Sequence, residues 1–153
     1  MNISLAIKHE LRRFCESFAE ERICRIKNTI DDLNDSLNSE TKSSAGDKHE
    51  TGRAMIQLER EKLGHRLYEA EKVRQVLNGI CTPDYATKVG QGSLVITSDS
   101  AYYIAISAGA FKKGSTQIYC VSAASPIGKI LLGKSEGQCF DFNKKNSCIE
   151  NIL

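Results

Sequence analysis

The sequence predicts an α+β protein: an N-terminal antiparallel coiled-coil hairpin followed by a small antiparallel sheet crossed by one short helix. Three observations carry that expectation. Ile23, Ile26, Ile30, Leu33 and Leu37 recur at alternating steps of three and four, the apolar seam of a coiled coil. Composition then changes near Gly79, where dense charge gives way to glycine, proline and tyrosine. Finally, a Ser-Pro start and a glycine stop bracket a short apolar helix within the second half.

The first arm carries a further apolar stripe at Leu11, Phe14 and Phe18, out of phase with the seam, so the supercoil should shift there. The stripe resumes in the second arm at Ile56, Leu63, Leu67, Ala70 and Leu77. Between the arms, Asn38 to Gly46 is polar and ends in glycine, the composition of a turn. Each arm of about 30 residues would extend about 45 Å. Asn78-Gly79 is a good helix stop, with Pro83 just beyond. The expected domains are therefore a hairpin over 1–80 and a globular domain over 84–153.

In that second domain, Leu94–Thr97, Tyr102–Ala108, Ile118–Ser122, Gln138–Phe142 and Cys148–Ile152 have the β-branched and aromatic content of strands. Lys112–Ser115 and Asn143–Asn146 are the candidate hairpin turns. Ser125 can cap the short helix, Pro126 fits its first position, Ile127, Ile130 and Leu131 supply a buried face, and Gly133 ends it.

Charge narrows the function classes only slightly. The 153 residues carry 21 basic and 19 acidic side chains, a formal +2, too little to suggest non-specific nucleic-acid binding. The longest uncharged apolar stretch, Ala101 to Phe111, falls short of the roughly 17–20 residues of a bilayer span. The N-terminus meets charge at once and does not read as a secretory signal, so a cytoplasmic protein is expected. Cys15, Cys24, Cys81, Cys120, Cys139 and Cys148 are scattered, with no C-x-x-C, and His9, His49 and His65 lie far from any cysteine pair. Reduced thiols are expected, and a zinc site has little support.

Two motifs lie in the same order as in a known family. Gly46-Asp47-Lys48-His49-Glu50 matches a Gly-Asp-x-x-Glu pattern at the turn, and Ala124 to Gly137, ASPIGKILLGKSEG, matches the short-helix segment. Over nearly its whole length the chain resembles the Gre family of bacterial transcript cleavage factors. The resemblance implies an FKBP-like second domain and a hairpin inserted through the secondary channel of RNA polymerase. It also implies that Asp47 is the principal ligand of a second Mg²⁺, shared with the polymerase, and that Glu50 supports that ion or its water. The chain would be an accessory to the polymerase's own hydrolytic activity rather than an enzyme, with no stably bound cofactor. Its partners would be RNA polymerase and the nascent RNA and DNA of the elongation complex. Two hard cations clamping the attacking and leaving oxygens is the chemistry that phosphodiester hydrolysis favours, and such ions take carboxylates. From Asp31 to Glu50 six acids face only Lys42 and Lys48, so negative charge gathers toward the tip.

Other readings of the same residues stand beside this one. Asp47 with Glu50 three residues on is close to a capping box. Glu40 reads as a solvated loop charge, His49 as solvent-facing, Arg53 and Arg60 as arm charges, and Lys129 and Lys134 as solvated helix-end lysines. Tyr102, Tyr103 and Tyr119 alternate on strands, which favours burial of at least one over base stacking. The chain departs from the family pattern at Thr51-Gly52-Arg53-Ala54 and at Gly137-Gln138. Those departures bear on cleavage more than on polymerase binding, leaving a secondary-channel regulator without cleavage as one alternative. A prolyl isomerase or chaperone is another, though the short strands offer few aromatic residues to line a proline pocket. A coiled-coil adaptor is a third.

Overall fold

The computed structural model describes residues 4–42, 47–81 and 86–153, leaving aside the side chains of residues 40–50. Two helices, α1 (Leu5–Lys42) and α2 (Asp47–Asn78), form an N-terminal hairpin. They are followed by β1 (Leu94–Thr97), β2 (Ala101–Ala105), β3 (Gly109–Lys113), β4 (Thr116–Ser122), α3 (Pro126–Leu131), β5 (Cys139–Phe142) and β6 (Lys145–Ile152). The α+β class and the hairpin-then-sheet order are as the sequence predicts. Helix α1 runs on through Asn38–Lys42, the first half of the expected turn. That stretch lacks the proline or glycine needed to break a helix, and its Ser, Glu and Lys are tolerated within one. The rest of the expected turn, 43–46, lies outside the described residues.

The chain forms two compact units, one comprising Ala19–Arg74 and the other Met1–Phe18 together with Gln75–Leu153. In the helical unit, Ala19, Ile23, Leu63 and Ala70 are buried, while Ile26, Ile30, Leu33, Leu37, Ile56 and Leu67 are half-buried. A two-helix seam shields each side chain from one side only, so partial burial is what this geometry delivers. Arg74 donates to the Glu20 carboxylate at 3.1 Å, and Arg60 to the Asn34 side-chain oxygen at 3.1 Å. Fourteen residues forward on α1 thus correspond to fourteen residues back on α2, the constant register of an antiparallel pair. Gly64 lies exposed on α2 with nothing within 4 Å of where a Cβ would sit. Gly64→Ala should therefore stabilise the helical unit by about 0.5–1 kcal/mol through lost unfolded-state entropy, measured as a rise in urea midpoint at unchanged m-value.

In the sheet unit the strand order is β3-β4-β2-β1-β6-β5. Strands β2 and β4 run parallel, and every other neighbour pair is antiparallel. The sheet is therefore mixed, correcting the expected all-antiparallel arrangement. The cause lies at the expected strand Tyr102–Ala108, which stops at Ala105 and restarts as β3 at Gly109, whose φ of +84° turns the chain. Strand β3 then forms the outer edge and returns β4 beside β2. Both expected turns are present: Gly114, at φ +60°, joins β3 to β4, and Asn143 and Lys144, at φ 52° and 63°, join β5 to β6 as a type I′ pair. Val95, Ile104, Ile127, Leu131, Phe140, Ile149 and Ile152 form the core between sheet and α3.

The first turns of α1 belong to this unit. Leu11 and Cys15 are fully buried, Phe14 meets Phe111 edge-on at 5.5 Å, and Glu10 pairs with Lys113. Arg12 donates to the Ile80 carbonyl at 3.0 Å, just beyond α2. Tyr103 is fully buried, and its hydroxyl is, among the described residues, a buried side-chain atom without a hydrogen-bond partner; the nearby Arg12 guanidinium partly offsets the effect of burial on the phenol. Burial pushes the Tyr103 phenol up to about 12. The unfolded phenol ionises near 10 while the folded one stays neutral, so above pH 10 the unfolded chain binds fewer protons and stability falls as pH rises toward 12. Tyr103→Phe removes both the unmatched hydroxyl and this slope. The variant should gain about 1 kcal/mol at pH 8 and lose less stability than wild type between pH 10 and 12, read from parallel urea melts.

Candidate functional site

Asp47 opens α2, and Glu50 follows in its first turn. The side chains of Asp47, His49, Glu50 and Glu40 lie outside the described residues, so no metal geometry is built there. Thr51-Gly52-Arg53-Ala54 continues the helix without a break. The register set by Glu20–Arg74 and Asn34–Arg60 runs the two arms antiparallel, and the segment between Lys42 and Asp47 lies outside the described residues. No group of three or more His, Cys, Asp or Glu suited to a metal ion occurs among the described residues. No helix among them is long and apolar enough to cross a membrane.

The second motif is fully described. The Ser125 hydroxyl donates to the Ser122 carbonyl at 2.6 Å and accepts from the Gly128 N–H at 3.1 Å. Pro126 occupies the start of α3, and Ile127 and Leu131 are buried. Beyond the helix, Gly133 at φ +79° donates to the Val89 carbonyl, and Val89 donates to the Lys134 carbonyl at 2.8 Å. Lys129 is exposed and Lys134 half-buried.

The sheet unit also holds a cavity of about 610 Å³ that sequence reasoning missed. Tyr102 from β2, Tyr119 from β4, and Phe140 and Phe142 from β5 supply aromatic walls, with Val121 and Ile127 as apolar lining and Asp99, Asn143, Lys145 and Ser147 as polar groups. Tyr102 and Tyr119 are register partners on the parallel β2–β4 pair, with ring centroids 5.9 Å apart. Burial raises the Tyr102 phenol above its ordinary pKa. The Tyr119 hydroxyl accepts from Gln117 at 2.8 Å, and the Ser147 hydroxyl donates to the Asp99 carboxylate. Four aromatic rings on a pocket correct the expectation of too few to line one. The rings are far apart in sequence: the β4-beside-β2 crossover pairs Tyr102 with Tyr119, whereas Phe140 and Phe142 come from β5 at the other edge of the sheet. The available signal was Phe140-x-Phe142, whose spacing of two places both rings on one face. Of the three tyrosines, Tyr103 is buried, whereas Tyr102 and Tyr119 line the cavity. Aromatic walls beside the polar edge of Asp99, Ser100, Asn143, Lys145 and Ser147 suit a hydrophobic or prolyl side chain on an extended peptide whose backbone meets that polar edge.

The expectation of six reduced thiols fails at one place. Cys139 and Cys148 are register partners in the β5–β6 hairpin and form a disulfide. A two-residue turn sets residues nine apart directly opposite each other, a pairing that a search for C-x-x-C does not detect. Cys15, Cys24, Cys81 and Cys120 remain free. Cys15 and Cys120 are buried against each other: their mutual hydrogen bond lowers the Cys15 pKa and raises that of Cys120. Searches against protein-family models and curated proteins find no match to this chain.

Proposed function

We propose that this protein is a cytoplasmic transcription elongation factor that enters the secondary channel of RNA polymerase and stimulates cleavage of backtracked RNA. The observation that carries the reading is the antiparallel hairpin in constant register, with Asp47 opening its second arm, in one chain with a capped Ser125-Pro126-Ile127-Gly128-Lys129 helix. On this reading Asp47, helped by Glu50, holds a second Mg²⁺ that belongs to the polymerase site. The chain binds no cofactor stably and catalyses nothing alone. The sheet unit, read as an FKBP-like domain, docks at the channel rim near the nucleic acids of the elongation complex. The test is retention of purified core RNA polymerase on the immobilised factor, followed by a cleavage time course on stalled complexes. Retention with shortening of the RNA is the expected result; retention with unchanged RNA length would replace it with a channel regulator that does not promote cleavage, and absence of retention would refute both.

The aromatic cavity favours a second reading, peptide binding with or without prolyl isomerisation. A proline-peptide turnover assay on the full chain distinguishes it, with clear turnover favouring the isomerase. The full chain is required because the sheet unit includes the first turns of α1.

A further inference from the structure

We propose that the Cys139–Cys148 disulfide is a thiol–disulfide exchange site, and that its state sets how tightly the β5–β6 hairpin closes one wall of the aromatic cavity. Access distinguishes this pair from the other cysteines of the sheet. Cys139 is exposed and Cys148 half-buried, whereas Cys15 and Cys120 are at most 2% exposed. Strand β5 is four residues long, lies at the edge of the sheet and pairs with β6 alone. Counting from the two-residue turn, Phe142–Lys145 closes the hairpin and Cys139–Cys148 is its last register pair. Alternation makes Cys139–Cys148 a closely spaced, non-hydrogen-bonded pair, consistent with its Cα–Cα distance of 3.9 Å. The disulfide therefore clamps a position where no ladder bond directly joins the two residues; just past it the Ile149 N–H donates to the Gln138 carbonyl at 2.9 Å and the Gly137 N–H to the Ile149 carbonyl at 2.8 Å. Between clamp and turn lie Phe140, Phe142, Lys145 and Ser147, which line the cavity together with Asn143 of the turn itself.

A dithiol reductant supplies the chemistry. Its thiolate attacks the exposed Cys139 sulfur, the Cys139–Cys148 bond breaks, and the Cys148 sulfur leaves as a thiolate that takes a proton. The reductant's second thiolate then attacks the mixed disulfide, releasing Cys139 as a thiol and the reductant as its own disulfide. Two electrons pass from reductant to protein, and a disulfide oxidant such as oxidised glutathione reverses the exchange. Without the clamp, the edge strand is held by its ladder bonds, the two backbone bonds at Gly137 and Gln138 and the packing of Phe140 and Phe142, so it opens more often.

The full-length chain, oxidised with oxidised glutathione, is alkylated with iodoacetamide before and after native treatment with dithiothreitol, and the modified cysteines are mapped by mass spectrometry. Cys24 and Cys81, both exposed, should react before reduction. Cys139 and Cys148 should react only after it, with Cys15 and Cys120 still protected. Amide exchange across residues 139–148 should rise about fivefold or more on reduction, and a Cys139→Ser/Cys148→Ser chain should match the reduced protein. Dithiothreitol on the wild-type chain gives the same readout should the double variant fold poorly. The proposal is overturned by labelling of Cys139 and Cys148 before reductant, by reduction that occurs only together with exposure of Cys15 and Cys120, or by amide exchange that does not change on reduction.

Discussion

Gly128→Ala should destabilise the sheet unit by about 3 kcal/mol or more, lowering its melting temperature by about 10 °C, because an alanine Cβ has nowhere to go. The added carbon would sit 2.1 Å from the Ser122 carbonyl oxygen, 2.9 Å from the Ser125 hydroxyl and 3.1 Å from the Ala123 carbonyl carbon. The nearest of these is backbone and cannot rotate away. The Ser122 carbonyl is also held in place, accepting from the Ser125 N–H at 3.1 Å and from its hydroxyl at 2.6 Å. Moving α3 outward would break the Gly128 N–H bond to Ser125 and loosen Ile127 and Leu131 from the core. The cost thus combines overpacking with a lost helix cap of about 1 kcal/mol. Near-UV circular dichroism of the tyrosines follows this unit, since four of the five tyrosines fall between residues 85 and 119. Ser125→Ala should lose the cap alone, about 1 kcal/mol, separating the two contributions. A Gly128→Ala melt within 1 kcal/mol of wild type would show that the close approach relaxes at little cost.

That glycine illustrates which features a sequence carries openly. Local rules marked the short helix: Ser125 as cap, Pro126 at the start, Gly133 at the stop, and each is found in place. The seam from Ile23 to Leu37 was equally open, because helical periodicity is a property of neighbouring residues. Pairings set by non-local topology were not. Nothing local to Tyr102 or Tyr119 states that their strands lie side by side and parallel, so local pattern alone predicts an antiparallel sheet and gives no sign of the aromatic cavity. Cys139 and Cys148 are an intermediate case. The turn at Asn143–Asn146 was legible, and counting outward from it opposes the two cysteines, but scattered spacing hid a pair that only a hairpin register brings together. Gly128 was legible as a motif residue, while the reason it must be glycine, a carbonyl six residues back, depends on the turn that precedes the helix.

The largest functional effect is expected at Asp47. On the proposed reading, Asp47→Ala should reduce stimulated RNA cleavage by on the order of 100-fold or more, since disturbing even the outer partners of a metal ion costs 10–100-fold. Retention on RNA polymerase should be unchanged, because on that reading the sheet unit does the docking. Alanine alone leaves an ambiguity, for Asp47 opens α2 and a carboxylate there also favours the helix dipole by about 0.3–1 kcal/mol. Asp47→Asn resolves it. Asparagine caps a helix about as well as aspartate, yet it brings no negative charge to a hard cation. The Asn variant should lose only the dipole contribution, less than about 1 kcal/mol, and still fail to stimulate cleavage, and raising Mg²⁺ should recover part of the activity if weakened ion retention is the defect. Glu50→Gln should cost less, about tenfold, if Glu50 supports the ion or its water rather than holding it directly. Full cleavage by Asp47→Asn would reduce the acid to a helix cap and leave the hairpin as a polymerase ligand without chemistry of its own.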